Sequence, residues 1–313
     1  MTSEEAIFID SDVRIGATVT YPEKDGRRPA VILIAGTGKS DRDGNMRGFH
    51  TDLYKNLTAS FGCWGYVAIR YDKRGTYASG GDFGTAGLSD LVDDAVSVIR
   101  HAKTMDRVDP ENIIVCGHSE GTMIAAIAST KEKVAGLILL GGAGMCMRDA
   151  LYYQNIGVAK EAENMKGVKG FIVRRTNSGD KGINRVDSIF DKCDGTDKDR
   201  VLVSGIRMNA KWMREHDSYT SEDFVSMVKD FGGPVLAITG TADLSADYRA
   251  LEAFEGADSV ECYAPENVNH VLREVDDDNS YLNIKKQYPR LCARPMHEGI
   301  SERMRLWMES RFP

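Results

Sequence analysis

Apolar positions in the first part of the chain come in short runs broken by turn compositions. Residues 6–9, 14–21 and 30–35 are rich in β-branched side chains and are separated by Ser-Asp and by Pro-Glu-Lys-Asp-Gly, compositions that turn the chain. They predict a hairpin leading into a buried strand. Beyond it, apolar runs at 66–71, 112–116 and 134–140 alternate with longer amphipathic stretches at 88–105 and 122–129. In 88–105, Leu88, Leu91, Val92, Ala95, Val96, Val98 and Ile99 form one wide apolar face, and Ser89 or Asp90 is placed to cap its start. Such alternation predicts an α/β fold, a mostly parallel sheet covered by helices on both faces.

Residues 145 to 230 break the rhythm, being richer in Lys, Arg, Asp and Asn and lacking comparably apolar strands. They read as an inserted, mainly helical cap. Alternation resumes at 234–239, 248–254 and 259–263 and ends in an amphipathic stretch at 301–311. The expected division is therefore a core of residues 1–144 and 232–313 with a cap of 145–231.

A chain of 313 residues can bury a full-sized core without disulfides or a metal. Forty-seven acidic against forty basic side chains give a net charge of -7, and no run of five basic residues is present. Nucleic acid and anionic membranes are thus not expected as partners. Glu4, Glu5 and Asp10 stand where a signal peptide needs positive charge. The longest uninterrupted apolar segments, such as 31–35 and 137–140, reach about a quarter of the ~20 residues of a membrane span. Six cysteines without C-x-x-C spacing point to reduced thiols and a cytoplasmic location. The sequence has no internal repeat or metal-binding cluster, and no cofactor is implied.

The candidate chemistry begins at Gly117-His118-Ser119-Glu120-Gly121, a G-x-S-x-G motif between an apolar strand and a helical stretch. A serine on such a tight turn has a strained backbone and an exposed Oγ, and flanking glycines avoid collision with neighbouring backbone. The helix beginning at Glu120 adds N–H groups and a positive dipole end beside a developing oxyanion. A serine nucleophile needs a base, and the base an orienting carboxylate. Of six histidines, His118 lies inside the turn, where packing is the simpler role. His50 and His101 fall on predicted helices, His216 in the insertion and His297 in a polar loop, whereas His270 lies in a loop after the last strand. Asp243 ends the run that starts at Val235, at the same sheet edge as Ser119, with Asp247 as a competing acid. The order Ser119, Asp243, His270 is the serine, acid, histidine order of one fold.

With these motifs the chain resembles the α/β-hydrolase superfamily, and within it the serine esterases and serine aminopeptidase-like hydrolases with a helical cap. Ile34-Ala-Gly-Thr-Gly38, Asp41-Arg-Asp-Gly-Asn45, Tyr71-Asp-Lys-Arg-Gly75, Gly240-Thr-Ala-Asp243 and Asn269-His270 resemble blocks of that group in order, across roughly residues 25 to 145 and 232 to 275. Ala35 departs from it, standing where many relatives have the histidine of an H-G motif. The oxyanion donors are assigned to the N–H groups of Thr37 and Glu120; the alternative for Thr37 is a purely structural Gly-x-Gly turn. Residues 41–45 superficially suggest calcium ligands but lack the distal Glu, and an Asp/Arg-braced turn is expected instead. Residues 72–75 either close the pocket wall through a salt-bridged turn or form a plain solvated one. Cys116 is expected to be inert in the core. Tyr152, Tyr153, Met208, Trp212 and Met213 pack the cap, with Trp212 the candidate for substrate contact. The expected function is hydrolysis of a carboxylic ester through an acyl-enzyme, with acyl chains of about two to six carbons suggested by the charged cap. Amide or peptide cleavage and a catalytically silent binding protein are the alternatives.

Overall fold

The computed structural model describes residues 2–167, 179–276 and 279–313. Its centre is an eight-stranded sheet in the order β1-β2-β4-β3-β5-β6-β9-β10. The hairpin β1 (Ser3–Asp10) and β2 (Arg14–Tyr21) is antiparallel, and β2 also runs antiparallel to β4 (Val67–Tyr71). The pairings β4 with β3 (Arg28–Ile34), β3 with β5 (Val108–His118), and onward through β6 (Gly136–Leu140), β9 (Val235–Ile238) and β10 (Val260–Tyr263), are all parallel. Parallel strands need crossovers. These are α1 (Leu53–Cys63), α2 (Leu88–Lys103) and α3 (Glu120–Lys131) in the first half of the sheet.

Both faces of the central strands are buried, which is why those strands read as continuous apolar runs. Ile32, Ile34, Ile69, Val115, Leu137 and Leu139 pack on one side with α2 and α3. Val31, Leu33, Ala68, Ile114, Cys116, Ile138 and Leu140 pack on the other with Leu57 and Phe61 of α1 and Trp307 of the last helix. The α2 start differs from expectation in detail. Its N-cap is Gly87, and Asp90, rather than capping, reaches back to accept the Gly87 N–H at 2.7 Å. His50 lies outside any helix, before α1. Residues 248–254 form a 3₁₀ helix.

Between β6 and β9 lie α4 (Met147–Asn164), α5 (Gly179–Asp194), a hairpin of β7 (Arg200–Val203) with β8 (Ile206–Asn209), α6 (Ala210–Asp217) and α7 (Ser221–Asp230). Residues 168–178 of this stretch lie outside the described residues. The hairpin was not expected, its strands being four residues each and poorly buried. Val186, Phe190, Cys193, Ala210 and Met213 make a small separate core, braced by Arg148 of α4 on Asp217 at 2.5 Å. Phe224 and Val228 of α7, by contrast, are buried in the main core. Two helices close the chain, α8 (Ile284–Cys292), unforeseen in a charged stretch, and α9 (Glu298–Arg311).

The loop after β4 is clamped from both ends. Arg42 binds Asp72 through its backbone N–H and side chain at 2.7 Å each, so residues 41–45 form the braced turn that the sequence suggests. Arg74 is held by the buried Asp94 at 2.7 Å and by the exposed Asp12 at 2.9 Å. Burial pushes the Asp94 carboxyl up to about 6 against the pull of Arg74, so at pH 7 the pair is ionised. Breaking a buried pair strands a charge, and Asp94→Ala is expected to cost about 3–5 kcal/mol of stability at pH 7. Asp12→Ala, on a solvated partner, should cost under about 1 kcal/mol. Urea unfolding of both variants checks this, and equal losses would contradict it.

Candidate active site

Strand β5 ends at His118 and α3 starts at Glu120, leaving Ser119 alone on the turn with φ 57° and ψ −123°. A left-handed φ is costly for a residue with a side chain and persists only where the surroundings fix it. Here the Ser119 N–H donates to Leu140 O at 2.8 Å, and the Ser119 carbonyl accepts from Thr122 N at 2.9 Å and Thr122 Oγ1 at 2.7 Å. The flanking glycines are obligatory. A Cβ on Gly117 would lie 2.1 Å from Gly121 O, and one on Gly121 would lie 2.3 Å from Ile34 O.

Asp243 and His270 are brought together. The Asp243 Oδ2 accepts from His270 Nδ1 at 2.8 Å, while Oδ1 accepts the N–H groups of Ser245 at 2.7 Å and Ala246 at 3.0 Å. An acceptor on Nδ1 fixes the tautomer and leaves Nε2 as the basic nitrogen. Asp243 is not on a strand end as expected, since β9 stops at Ile238 and the acid sits in the following loop. Asp247 is occupied elsewhere, capping the 3₁₀ helix and binding Arg249. Asn269 shapes the histidine loop by accepting from Val271 N at 3.1 Å and Arg273 N at 2.9 Å.

His118 supports this arrangement from below. Its Nε2 faces the His270 carbonyl at 2.8 Å and therefore carries the proton, so Nδ1 accepts the Tyr54 hydroxyl at 3.1 Å. The Tyr54 oxygen in turn accepts the Gly36 N–H at 2.8 Å. Burial, reinforced by His270 and Lys73 nearby, holds His118 down at about 3. It is neutral at any working pH.

Thr37, Ser119, His118 and His270 line one cavity of about 490 Å³. Met46, Phe49, Leu151, Ile189, Met208, Trp212 and Met213 give it apolar walls, to which α4, α5, β8 and α6 of the inserted segment contribute. Tyr152 is turned away onto Asp187, and Tyr153 donates to the Asp243 carbonyl at 3.1 Å. Cys116 is fully buried in the core, and burial pushes its thiol far up. The Gly36 N–H is taken by Tyr54, so Thr37 offers the next N–H of that turn. Glu120 offers the first N–H of α3, which has no intrahelical acceptor.

Sequence reasoning missed what the Glu120 side chain does. It points inward, 1 % exposed, with Oε2 on Lys73 Nζ at 2.9 Å and Oε1 on Trp212 Nε1 at 2.5 Å and His216 Nε2 at 3.0 Å. Burial pushes its carboxyl up, yet Lys73 and His216 outweigh burial and hold it well below the ordinary range. A signal existed: a glutamate opening a helix that is otherwise buried through Ala128 must find a cation.

This geometry is that of an α/β-hydrolase fold with its nucleophile-type turn at the sheet's carboxyl edge. The profile of the family described as serine aminopeptidase, S33 matches residues 47–263, and the chain belongs to that family. Esterase EstD of Thermotoga maritima is 24% identical over 165 residues, a match spanning 50% of this chain and 39% of that protein. Among solved structures, Est1E from Butyrivibrio proteoclasticus with bound ferulic acid superposes with TM-score 0.62 at 19% identity, covering 98% of this chain and 99% of that one. The Pyrococcus furiosus esterase Pf2001 does so with TM-score 0.57 at 13% identity, covering 99% and 94%.

The buried His118 makes stability depend on pH. The unfolded chain binds its proton near 6.5 and the folded one near 3, so folding excludes a proton between those values. Its contribution is full above about 6.5 and is lost as pH falls, at up to about 1.4 kcal/mol per pH unit. Denaturation midpoints from pH 4 to 7 are expected to show this slope, and His118→Gln should flatten it; an unchanged slope in the variant would assign the titration elsewhere.

Proposed function

We propose that the chain is a serine hydrolase of carboxylic esters. The observation that carries this reading is the Asp243 to His270 bond, which frees His270 Nε2 in the cavity that the strained Ser119 also lines. In the proposed route Ser119 Oγ attacks the ester carbonyl while His270 Nε2 takes its proton. Asp243 steadies the resulting imidazolium, and the N–H groups of Thr37 and Glu120 hold the oxyanion. His270 then protonates the departing alkoxide, and a water activated by the same nitrogen frees the acid. The names of EstD and Pf2001 as esterases support the reading.

The alternative implied by the family description is release of amino acids from peptides. A free α-ammonium in the substrate calls for a carboxylate at its end of the site. Among the described residues the cavity walls carry no Asp or Glu, and the Glu120 carboxylate is fully engaged. The ester is favoured. A cavity of about 490 Å³ lies within the roughly 300–1,000 Å³ of drug-sized ligand sites, more than a short acyl chain fills. The proposed substrates therefore extend beyond two to six carbons to longer or aromatic acyl groups, with the lining residues of α4, α5, β8 and α6 shaping the choice. A cytoplasmic setting, proposed with it, is compatible with six unpaired cysteines. Among the described residues no helix is long and apolar enough to cross a membrane.

Ser119→Ala and His270→Ala are each expected to lose about 10⁴–10⁶ in kcat, and Asp243→Asn about 10⁴, with the fold retained. A fluorophosphonate should label Ser119 in the parent protein. A silent scaffold would not react, and a Ser119→Ala variant holding a tenth of the activity would remove the assignment.

Across p-nitrophenyl esters of graded length, kcat/KM is expected to rise past six carbons and to exceed that for aminoacyl anilides. Trp212→Ala should move the preferred length while the acetate ester is still cleaved. A maximum at two carbons, unmoved by Trp212→Ala, would reject the assignment of this cavity to longer acyl groups.

A further inference from the structure

The Glu120 carboxylate and the two N–H groups assigned to the oxyanion are linked through one side chain. Lys73 sits just past β4, between Asp72 and Arg74, which are anchored on Arg42 and Asp94. With both neighbours fixed, the Lys73 ammonium is carried inward, 6 % exposed, and makes two contacts. One is the ion pair with Glu120 at 2.9 Å; the other is a hydrogen bond donated to the carbonyl of Gly36.

That carbonyl belongs to the same peptide unit as the Thr37 N–H. A trans peptide is planar, with its C=O and N–H pointing to opposite sides. Fixing the Gly36 carbonyl therefore fixes where the Thr37 N–H points. The preceding unit is fixed as well, by the Gly36 N–H on Tyr54. Gly36 itself packs against the nucleophile turn, where a Cβ would lie 2.8 Å from Ser119 Cβ. No side chain there can hold the loop, so the backbone is held by its polar groups. A cation on the carbonyl oxygen also polarises the peptide and makes its N–H a better donor.

We propose that Lys73 is a positioning residue of the oxyanion hole, aiming and polarising the Thr37 N–H through the Gly36 carbonyl while its ion pair with Glu120 ties it to the residue that carries the second donor. This rests on the proposed function. The bland reading of the same contacts is charge neutralisation, in which Lys73 serves only to make a buried Glu120 tolerable. The two readings part when both charges are removed together.

The test compares Lys73→Met with the double variant Lys73→Met/Glu120→Gln, which removes both charges of the pair. A p-nitrophenyl ester gives kcat and KM. A trifluoromethyl ketone, whose adduct with Ser119 bears the oxyanion, reports the hole directly. Removing a direct oxyanion donor costs on the order of 10²–10³ in kcat, and loss of its alignment should cost about 10–10². Both variants are expected to show that fall in kcat with KM within about twofold, and a matching rise in the ketone inhibition constant. The double variant should be the more stable of the two. If it recovers kcat and ketone affinity, neutralisation was the whole role and the proposal falls. It falls equally if a folded Lys73→Met keeps kcat within about threefold of the parent, or if neither variant folds. Failure of the underlying function would look different, since the parent protein itself would then neither label at Ser119 nor bind the ketone.

Discussion

A carboxylate with no access to water sits one residue after the serine, and much of the site is arranged to make that tolerable. Removing an ionised group from water costs several kcal/mol unless opposite charge and hydrogen bonds replace the solvent. Glu120 receives Lys73 on one oxygen and both Trp212 and His216 on the other. Burial alone would protonate it; Lys73 and the hydrogen bond to His216 outweigh that. Three segments distant in sequence are thereby obliged to meet at the start of α3: the loop after β4, the turn after β3 through the Gly36 carbonyl, and α6. The requirement is local and chemical, yet it fixes where a large part of the inserted segment must sit.

A second chain of polar contacts runs beneath the cavity and works differently because it is neutral. Gly36 N–H, Tyr54, His118 and the His270 carbonyl form an unbroken donor-to-acceptor series. Each member has one role only, since the carbonyl end dictates the His118 tautomer and the tautomer dictates the Tyr54 hydroxyl. Burial keeps His118 uncharged, so His270 is not faced by a second imidazolium although the rings are only 4.8 Å apart. The turn after β3 and the histidine loop are thus set by one network, and the ionic one meets it at Gly36.

The central strands were legible in the sequence because both their faces are buried, giving uninterrupted apolar runs such as 31–35 and 137–140. The serine turn was legible because its glycines answer to hard contacts with Gly121 O and Ile34 O. The Asp243 to His270 contact was legible as an order of residue types, though the acid's position past the strand was not. What stayed hidden has a common cause. Tyr54, Lys73, His216 and the Glu120 side chain act through long-range polar pairings, and hydrogen-bond partners leave no periodicity. The β7-β8 hairpin and α8 were missed for a related reason. The hairpin lies at the surface with few buried positions, and α8, among its described residues, buries only Gln287, Tyr288 and Leu291, a short and partly polar face within a charged stretch.

The inserted segment meets the core through two kinds of contact. Around the cavity it offers apolar walls from Leu151, Ile189, Met208 and Met213, whose shape can change with little effect on the groups that bear charge. Its polar contacts with the core include Lys211 on Asp90 at 2.6 Å, Trp212 and His216 on Glu120, and Tyr153 on the Asp243 carbonyl. Trp212 belongs to both sets. Its ring lines the cavity while its Nε1 holds the residue beside Ser119. The same carboxylate is held by Lys73, which also donates to the Gly36 carbonyl. The apolar wall of the cavity and the ionic network around Glu120 therefore share a single indole.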